Sequence, residues 1–164
     1  PARQIPLRRQ QVNKRDLVAQ LINRLEERQR VMAAAAREAT ENATGDETRS
    51  EGKYDTRAIE AGYLAGAQQA RATKLNEELE ALRRLEVIPC ELTDPAGMGA
   101  LVETDADGET RFFLLAPGGG GETLEYLGCE ATVLVPESPL YQEILGTSAG
   151  TSLPEHGLVV LGVE

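Results

Sequence analysis

The amino-acid sequence predicts an α+β fold in which a long antiparallel helical hairpin precedes a small antiparallel sheet domain with one short helix. Two observations lead to this prediction. Apolar residues recur at intervals of three, four and seven through residues 13–39 and 56–86, which is the spacing of amphipathic helices. After Pro89 this period ends, and short strand-like runs follow between Gly, Pro and Asp residues. We therefore expect one domain over residues 1–88 and a second over residues 89–164.

The two helices are each predicted from one apolar stripe. Asn13 followed by Asp16 resembles a capping arrangement at the start of the first helix. The first stripe consists of Leu17, Leu21, Leu25, Val31, Met32, Ala35 and Ala39, and the second of Ile59, Tyr63, Ala67, Ala70, Leu75, Leu79 and Leu82. Neither helix can form a core alone, so we expect the stripes to pack on each other as an antiparallel coiled coil. Small residues at 33–36, 62 and 66 predict a close approach toward the tip.

The sheet domain is predicted from five strand-like runs, at residues 98–104, 110–115, 122–128, 131–136 and 157–163. Residues 105–108 supply a hairpin turn between the first two. A two-turn helix is expected at residues 138–146, with Ser138 as N-cap, Pro139 at the first position and Gly146 as the terminating residue. Its Leu140, Ile144 and Leu145 are expected to cover one face of the sheet.

The net charge of −10 is unevenly distributed along the chain. Residues 1–44 hold nine Lys/Arg against five Asp/Glu, whereas residues 87–164 hold one against thirteen. A basic arm and an acidic domain can face different partners, so the acidic average does not exclude a nucleic-acid or polymerase contact.

Several functional classes find no support in the sequence. Cys90 and Cys129 lie far apart without a CxxC motif, which argues against a zinc site or a disulfide scaffold. The glycine run 118–121 is not followed by Lys-Ser/Thr, and we interpret it as a flexible hairpin loop. His156, the only histidine, has no nucleophile placed for it by any motif. There is no apolar signal core and no membrane-length apolar run, so we expect a cytoplasmic protein.

Four carboxylates crowd between the predicted helices. They are Asp46, Glu47, Glu51 and Asp55, with Gly45 and Gly52 among them. One interpretation is a solvated loop whose acids favour the N-terminus of the following helix, which suits Asp55 in particular. The other interpretation is a functional tip.

Three segments resemble, in their order and spacing, the Gre-type transcript cleavage factors of bacterial RNA polymerase. They are GD at 45–46, KYDTRAIEAGYLAGAQQARATKLNEEL at 53–79, and SPLYQEILGTSAGTSL at 138–153 followed by the closing run GLVVLGVE. The resemblance covers most of the chain. It implies that the second domain is FKBP-like.

The resemblance also implies a function. A Gre-type factor docks its C-terminal domain at the rim of the polymerase secondary channel, here through the segment of Ser138, Pro139, Leu140 and Gly146, and threads its hairpin toward the active site. The tip carboxylates Asp46, Glu47 and Glu51 would then assist cleavage of the backtracked RNA 3′ end. Asp46 and Glu51 would share Mg²⁺ with the polymerase, while the free factor would hold no cofactor. The factor is expected to be a monomer, without contact to a membrane, and the polymerase remains the enzyme.

The tip departs from the family pattern Gly-Asp-x-x-Glu-Asn-x-Glu-Tyr. Asp46 matches directly, but Arg49 or Ser50 falls at the position of the key Glu, depending on the end from which one counts. Only a shifted loop would let Glu51 serve, with Glu47 as another candidate.

The departure leaves a close rival open, a channel-entering regulator or inhibitor that does not stimulate cleavage. Two other classes are also considered. One is a prolyl isomerase or chaperone built on the sheet domain, which would need an aromatic-lined apolar pocket from Phe112, Phe113, Tyr126 and Tyr141. The other is a structural dimer in which the helices pair between chains.

Overall fold

The computed structural model describes residues 13–45, 56–88 and 94–164, with side chains of 13–39 and 59–88 within the helical part. In chain order the elements are α1 (Lys14–Gly45), α2 (Thr56–Arg83), β1 (Leu101–Ala106), β2 (Glu109–Leu115), β3 (Thr123–Tyr126), β4 (Cys129–Leu134), α3 (Pro139–Ile144), β5 (Ser152–Leu153) and β6 (Leu158–Val163). The predicted α+β order of two long helices, a sheet and one short helix is confirmed. The domain boundary at 88/89 stays a prediction, because residues 89–93 lie outside the described ranges.

Helix α1 begins with the capping arrangement that the sequence predicts. The Asp16 amide donates to Asn13 Oδ1 at 3.1 Å, and the Asn13 amide donates to Asp16 Oδ2 at 3.0 Å. These reciprocal bonds satisfy amide groups that a helix start leaves without intrahelical partners. Aspartate therefore takes the place that Glu or Gln holds in the common capping box.

The sheet has six strands in the order β3-β4-β2-β1-β6-β5. Four neighbouring pairs are antiparallel, but β2 and β4 pair in parallel from Phe112↔Ala131 to Leu115↔Leu134. The prediction of an antiparallel sheet is therefore wrong in this one pair. The reason is topological: the chain leaves β2 through the glycine run and returns along β3, so β4 enters beside β2 in the same direction.

The two tight hairpin turns of the sheet have the same backbone conformation. Asp107 and Gly108 have φ of 53° and 88° in the β1–β2 turn, and Leu127 and Gly128 have φ of 52° and 80° in the β3–β4 turn. Two consecutive residues with positive φ match the right-handed twist of paired strands. The turn predicted at residues 105–108 is confirmed.

The sheet is covered on both faces, and each face has its own core. On one face, Tyr141 and Ile144 of α3 pack against strand residues such as Val102, Leu115 and Val160. Leu140 is half-buried there, but Leu145 is 45% exposed, so its predicted place in the core is wrong. The other face is covered by α1 and α2, which therefore pack on the sheet as well as on each other.

Candidate functional site

The first part of the candidate site is the hairpin base, defined as residues 14–32 and 72–83. Six leucines are buried there between the helices and the sheet: Leu17, Leu21, Leu25, Leu75, Leu79 and Leu82. Across the helix pair, Arg83 donates to Glu26 at 2.8 Å, and Gln29 donates to Asn76 at 2.5 Å. Rising numbers on α1 meet falling numbers on α2, so the predicted antiparallel pairing is confirmed at the base.

A glycine loop joins the hairpin base to the sheet. A Cβ atom added to Gly118 would lie 2.6 Å from Cβ of Glu78, and one added to Gly119 would lie 2.6 Å from Cδ1 of Leu21. The Gly119 amide also donates to Glu78 Oε2 at 3.1 Å. Only glycine allows backbone and helices to approach this closely. The interpretation as a flexible hairpin loop is wrong, because Gly118 and Gly119 are buried at the contact between helices and sheet.

Polar contacts of α1 with β3 complete this anchorage. The Gln20 side-chain amide donates to the Glu125 carbonyl at 3.1 Å and accepts from the Glu125 amide at 3.3 Å. Gln20 thus pairs with the edge strand as a neighbouring strand would, which covers hydrogen-bonding groups that could recruit another chain. Glu122 forms ion pairs with Arg28 and, at 3.7 Å, with Arg24. Periodicity gave no signal for these contacts.

The charges of the hairpin base influence one another. Hydrogen bonding to Glu26 raises the pKa of Arg83 above its ordinary value, which keeps the guanidinium charged. Directly after the end of α2, the Arg84 guanidinium donates to the Glu80 carboxylate and lowers the pKa of that carboxyl. Both shifts favour the charged forms, of Arg83 in its pair with Glu26 and of Glu80 in its i,i+4 pair with Arg84.

The second part of the site is the distal hairpin, defined as residues 33–45 and 56–71. Its described side chains, from Ala33 to Ala39 and from Ile59 to Arg71, are all exposed. The predicted close packing of the stripes is therefore wrong in this half. On an α-helix, Ile59 lies about 160° around the axis from Leu75, so it does not continue the buried stripe. Ala35 and Ala39 do continue the stripe of α1, but small side chains bury little area.

The predicted tip residues join the two ends of the distal hairpin. Helix α1 ends at Gly45 and α2 begins at Thr56, so residues 46–55 connect the ends that lie away from the sheet. Asp46, Glu47 and Glu51 lie outside the described residues, and their roles remain predictions. Within residues 13–45, 56–88 and 94–164 there is no group of three His, Cys, Asp or Glu residues that could hold a metal ion.

The predicted partner-binding segment forms the start and end of α3. Ser138 is the N-cap, with Oγ accepting from the Tyr141 amide at 3.1 Å, and Pro139 occupies the first turn. Gly146 has φ of 80°, and its amide donates to the Ala96 carbonyl at 2.7 Å. Leu140 packs partly on the core. These residues shape the local backbone, and their contact with a partner stays a prediction.

Features that would support an enzyme are occupied by structural contacts. His156 Nε2 lies within hydrogen-bonding distance, 3.1 Å, of Glu143 Oε1 near the surface. Phe113, Tyr126 and Tyr141 are buried, and Phe112 packs edge-to-face on Tyr126 with ring centroids 4.9 Å apart. Burial also raises the pKa of Tyr141. Three of these aromatic side chains are therefore part of the two cores, and Phe112 is half-buried against one of them.

The described residues thus define a protein with a two-helix hairpin that is anchored at one end on a mixed sheet and exposed at the other. Among these residues, none of the helices has both the length and the apolar character needed to span a membrane.

Comparison with known proteins gives matches only among solved structures, since neither a protein-family model nor a curated protein matches the sequence. Gfh1 of Thermus aquaticus is 15% identical, with a TM-score of 0.34, over 92% of this chain and 94% of that one. GreA factor homolog 1 (Gfh1) of Thermus thermophilus is 16% identical, with a TM-score of 0.34, over 90% and 92%. A third chain, described as the transcription factor Gfh1, is 20% identical, with a TM-score of 0.35, over 90% of both. Similarity of this degree does not by itself assign a function.

Proposed function

We propose that this chain is a Gre-type factor that enters the secondary channel of bacterial RNA polymerase and stimulates the polymerase's own cleavage of backtracked RNA. The observation that carries the proposal is the contrast within the hairpin. Its base is fixed to the sheet by buried leucines and the glycine loop, while its distal half is exposed and ends at the acidic segment 46–55. A firmly held base lets the sheet domain determine where the acidic segment is presented.

The division of labour follows from the two ends of the molecule. The sheet domain would dock at the channel rim through residues 138–146, which include α3, and the hairpin would reach inward. Helix α2 has 28 residues, a length of about 42 Å. The polymerase would remain the enzyme, and the free factor would need no cofactor of its own.

The acidic segment has donors that suit Mg²⁺, which binds hard oxygen ligands and often takes only one or two carboxylates from a protein. Asp46 and Glu51 would help to hold such an ion together with the polymerase, and the ion would activate the water that attacks the RNA. Glu47 is the further candidate. What this chain supplies is negative charge placed at the end of a long, anchored arm.

A rival function is a channel-entering regulator that does not stimulate cleavage. Arg49 and Lys53 lie among the acids, and cations at this place compete for the carboxylates that a metal ion needs. The family position of the key Glu is also occupied by Arg49 or Ser50. This sequence feature favours the rival, whereas Asp46 and the acid count favour cleavage.

The test is RNA cleavage by a stalled, backtracked elongation complex in magnesium buffer, with and without the purified protein. We expect release of short 3′ fragments that depends on the protein. The double variant D46N/E51Q should lose this stimulation and keep polymerase binding. Asp55→Asn is the matched control. It also removes one negative charge, but from an acid expected only to stabilise the start of α2, so cleavage should be unchanged.

Each result separates the candidates. Unchanged cleavage in D46N/E51Q would contradict the role of these carboxylates. No cleavage by the wild type, together with competition against a known channel-entering factor, would establish the non-cleaving regulator. Failure to bind polymerase would end both proposals, and a light-scattering mass of two chains would then favour the structural dimer.

A further inference from the structure

The distal half of α2 has an unusual surface for an exposed helix. Residues 61–70, AGYLAGAQQA, contain no charged side chain, and every one of them is exposed. Three large apolar side chains stand out: Tyr63 is 78% exposed, Leu64 62% and Ile59 57%. The facing part of α1 differs, because Arg37 and Glu38 interrupt its alanines.

The apolar side chains of this segment occupy opposite sides of the helix. At about 100° per residue, Leu64 lies within about 20° of Leu75 and so points along the buried stripe. Tyr63 lies about 160° from Leu79, on the side that faces away from α1. Helix α1 can cover one of these sides at most. Two glutamines, at positions 68–69, lie among these residues, but exposed large apolar side chains on two sides of one uncharged segment favour enclosure by other protein.

A second copy of this chain is a poor candidate for covering the outer side. The strip from Ile59 to Thr73 is roughly 20 Å long and one helix, about 10 Å, wide. Pairing two such strips would bury far less than the roughly 800 Å² per partner of a stable interface. A partner that surrounds the hairpin and contacts it on several sides meets the need better.

We propose that Ile59 and Tyr63 on the outer face of α2 contact an uncharged, apolar wall of the polymerase channel into which the hairpin enters. This inference rests on the proposed function and names the surface of the hairpin that contacts the polymerase. The face begins next to the acidic segment, so any insertion that brings residues 46–55 to the active site also brings this face into the channel. Glu60 borders this face, but residues 61–70 carry no charge, so the face suits a wall that is not strongly charged, because desolvating a charged group without a partner is costly.

The test measures the affinity of labelled protein for the polymerase of the bacterium that encodes the chain. Tyr63→Asp should weaken binding at least about tenfold, because buried tyrosines are frequent hot spots at protein interfaces. Tyr63→Leu keeps the apolar surface and should stay within about threefold of the wild type. Val31→Asp on α1 is the matched control: Val31 is 58% exposed, and the same substitution there should also have less than about a threefold effect.

Circular-dichroism melting of each variant shows whether the hairpin is intact, which is expected because all of these side chains are exposed. If wild type binds and Tyr63→Asp binds equally well, or if Val31→Asp is equally damaging, the contact face is wrong while the proposed function stands. If wild type does not bind polymerase at all, the proposed function fails first. A dimer that Tyr63→Asp converts to monomer would also overturn the inference, in favour of a second copy as the occupant.

Discussion

The hairpin base and the distal hairpin belong to the same two helices but have opposite environments. Leu79 in the base is 1% exposed, whereas Leu64, one of the residues that continue its stripe, is 62% exposed. The sequence pattern does not explain this difference. What differs is a third surface, because the sheet and the glycine loop cover the base and end before the distal half. Two helices with small facing residues bury little by themselves, so the sheet decides where the hairpin is buried.

The largest effect that would sharpen this comparison comes from removing a buried leucine. Leu79→Ala should lower the free energy of unfolding by about 2–5 kcal/mol, through lost burial and a cavity. Leu64→Ala, the same change in the distal half, should alter it by less than about 0.5 kcal/mol. Urea denaturation of both variants measures the difference. Equal losses would show that the distal half is packed in solution.

The next effect uses glycine as the probe. Gly119→Ala should destabilise the protein by about 2 kcal/mol or more, because φ is 77° and the new Cβ would meet Leu21 at 2.6 Å. Gly66→Ala in the distal helix meets nothing within 4 Å and should stabilise by about 0.5–1 kcal/mol, since alanine favours helix. In thermal melts we expect the melting temperature to fall for Gly119→Ala and to rise for Gly66→Ala. A neutral Gly119→Ala would contradict the close contact of loop and helix.

A smaller effect concerns the edge of the sheet. Gln20→Ala should cost about 1 kcal/mol and speed hydrogen exchange at the Glu125 amide, which donates to Gln20. The control Gln69→Ala removes the same side chain from the exposed part of α2. It should leave both the stability and the exchange rate of Glu125 nearly unchanged. Unaltered exchange in Gln20→Ala would remove the role of this side chain at the edge.

The smallest effect is a pH dependence of the base. Arg84 lowers the pKa of the Glu80 carboxyl below its ordinary value, so the ionised form stabilises the fold above the unfolded pKa. This contribution should disappear as the pH falls through the folded pKa of Glu80. Glu80→Gln should therefore make the stability slightly less dependent on pH between about 5 and 3, as urea midpoints would record. High salt should reduce the difference, because the pair is exposed.

Much of the fold could be predicted from local patterns. The capping by Asn13 and Asp16, the turn at Asp107-Gly108 and the N-cap of Ser138 depend on neighbouring residues, and all three are confirmed. The parallel pairing of β2 with β4 and the two-residue strand β5 were not predicted. Both arise from the path of the chain, and a strand of two residues has no detectable period.

The candidate site was predictable only in part. The sequence located an acidic segment between two long helices, and the bounds of α1 and α2 place it there. The apolar spacing also predicts that Ile59 and Tyr63 belong to the buried stripe. This prediction is wrong, because intervals of three, four and seven accumulate an angular error over several turns. The sequence alone does not predict the contact made by the glycine run, because a run of glycines is compatible with both a flexible loop and a close contact.

The sequence by itself determined the element order, the helix caps, the tight turns and the charge distribution, since each of these depends on residues close together in the chain. Only the tertiary structure decided which half of the hairpin is buried. Burial depends on what lies opposite a side chain, and the residues opposite Leu21 and Glu78 are the glycines of a loop that follows about 40 to 100 positions later in the chain. The same physical reason leaves the outer face of α2 exposed.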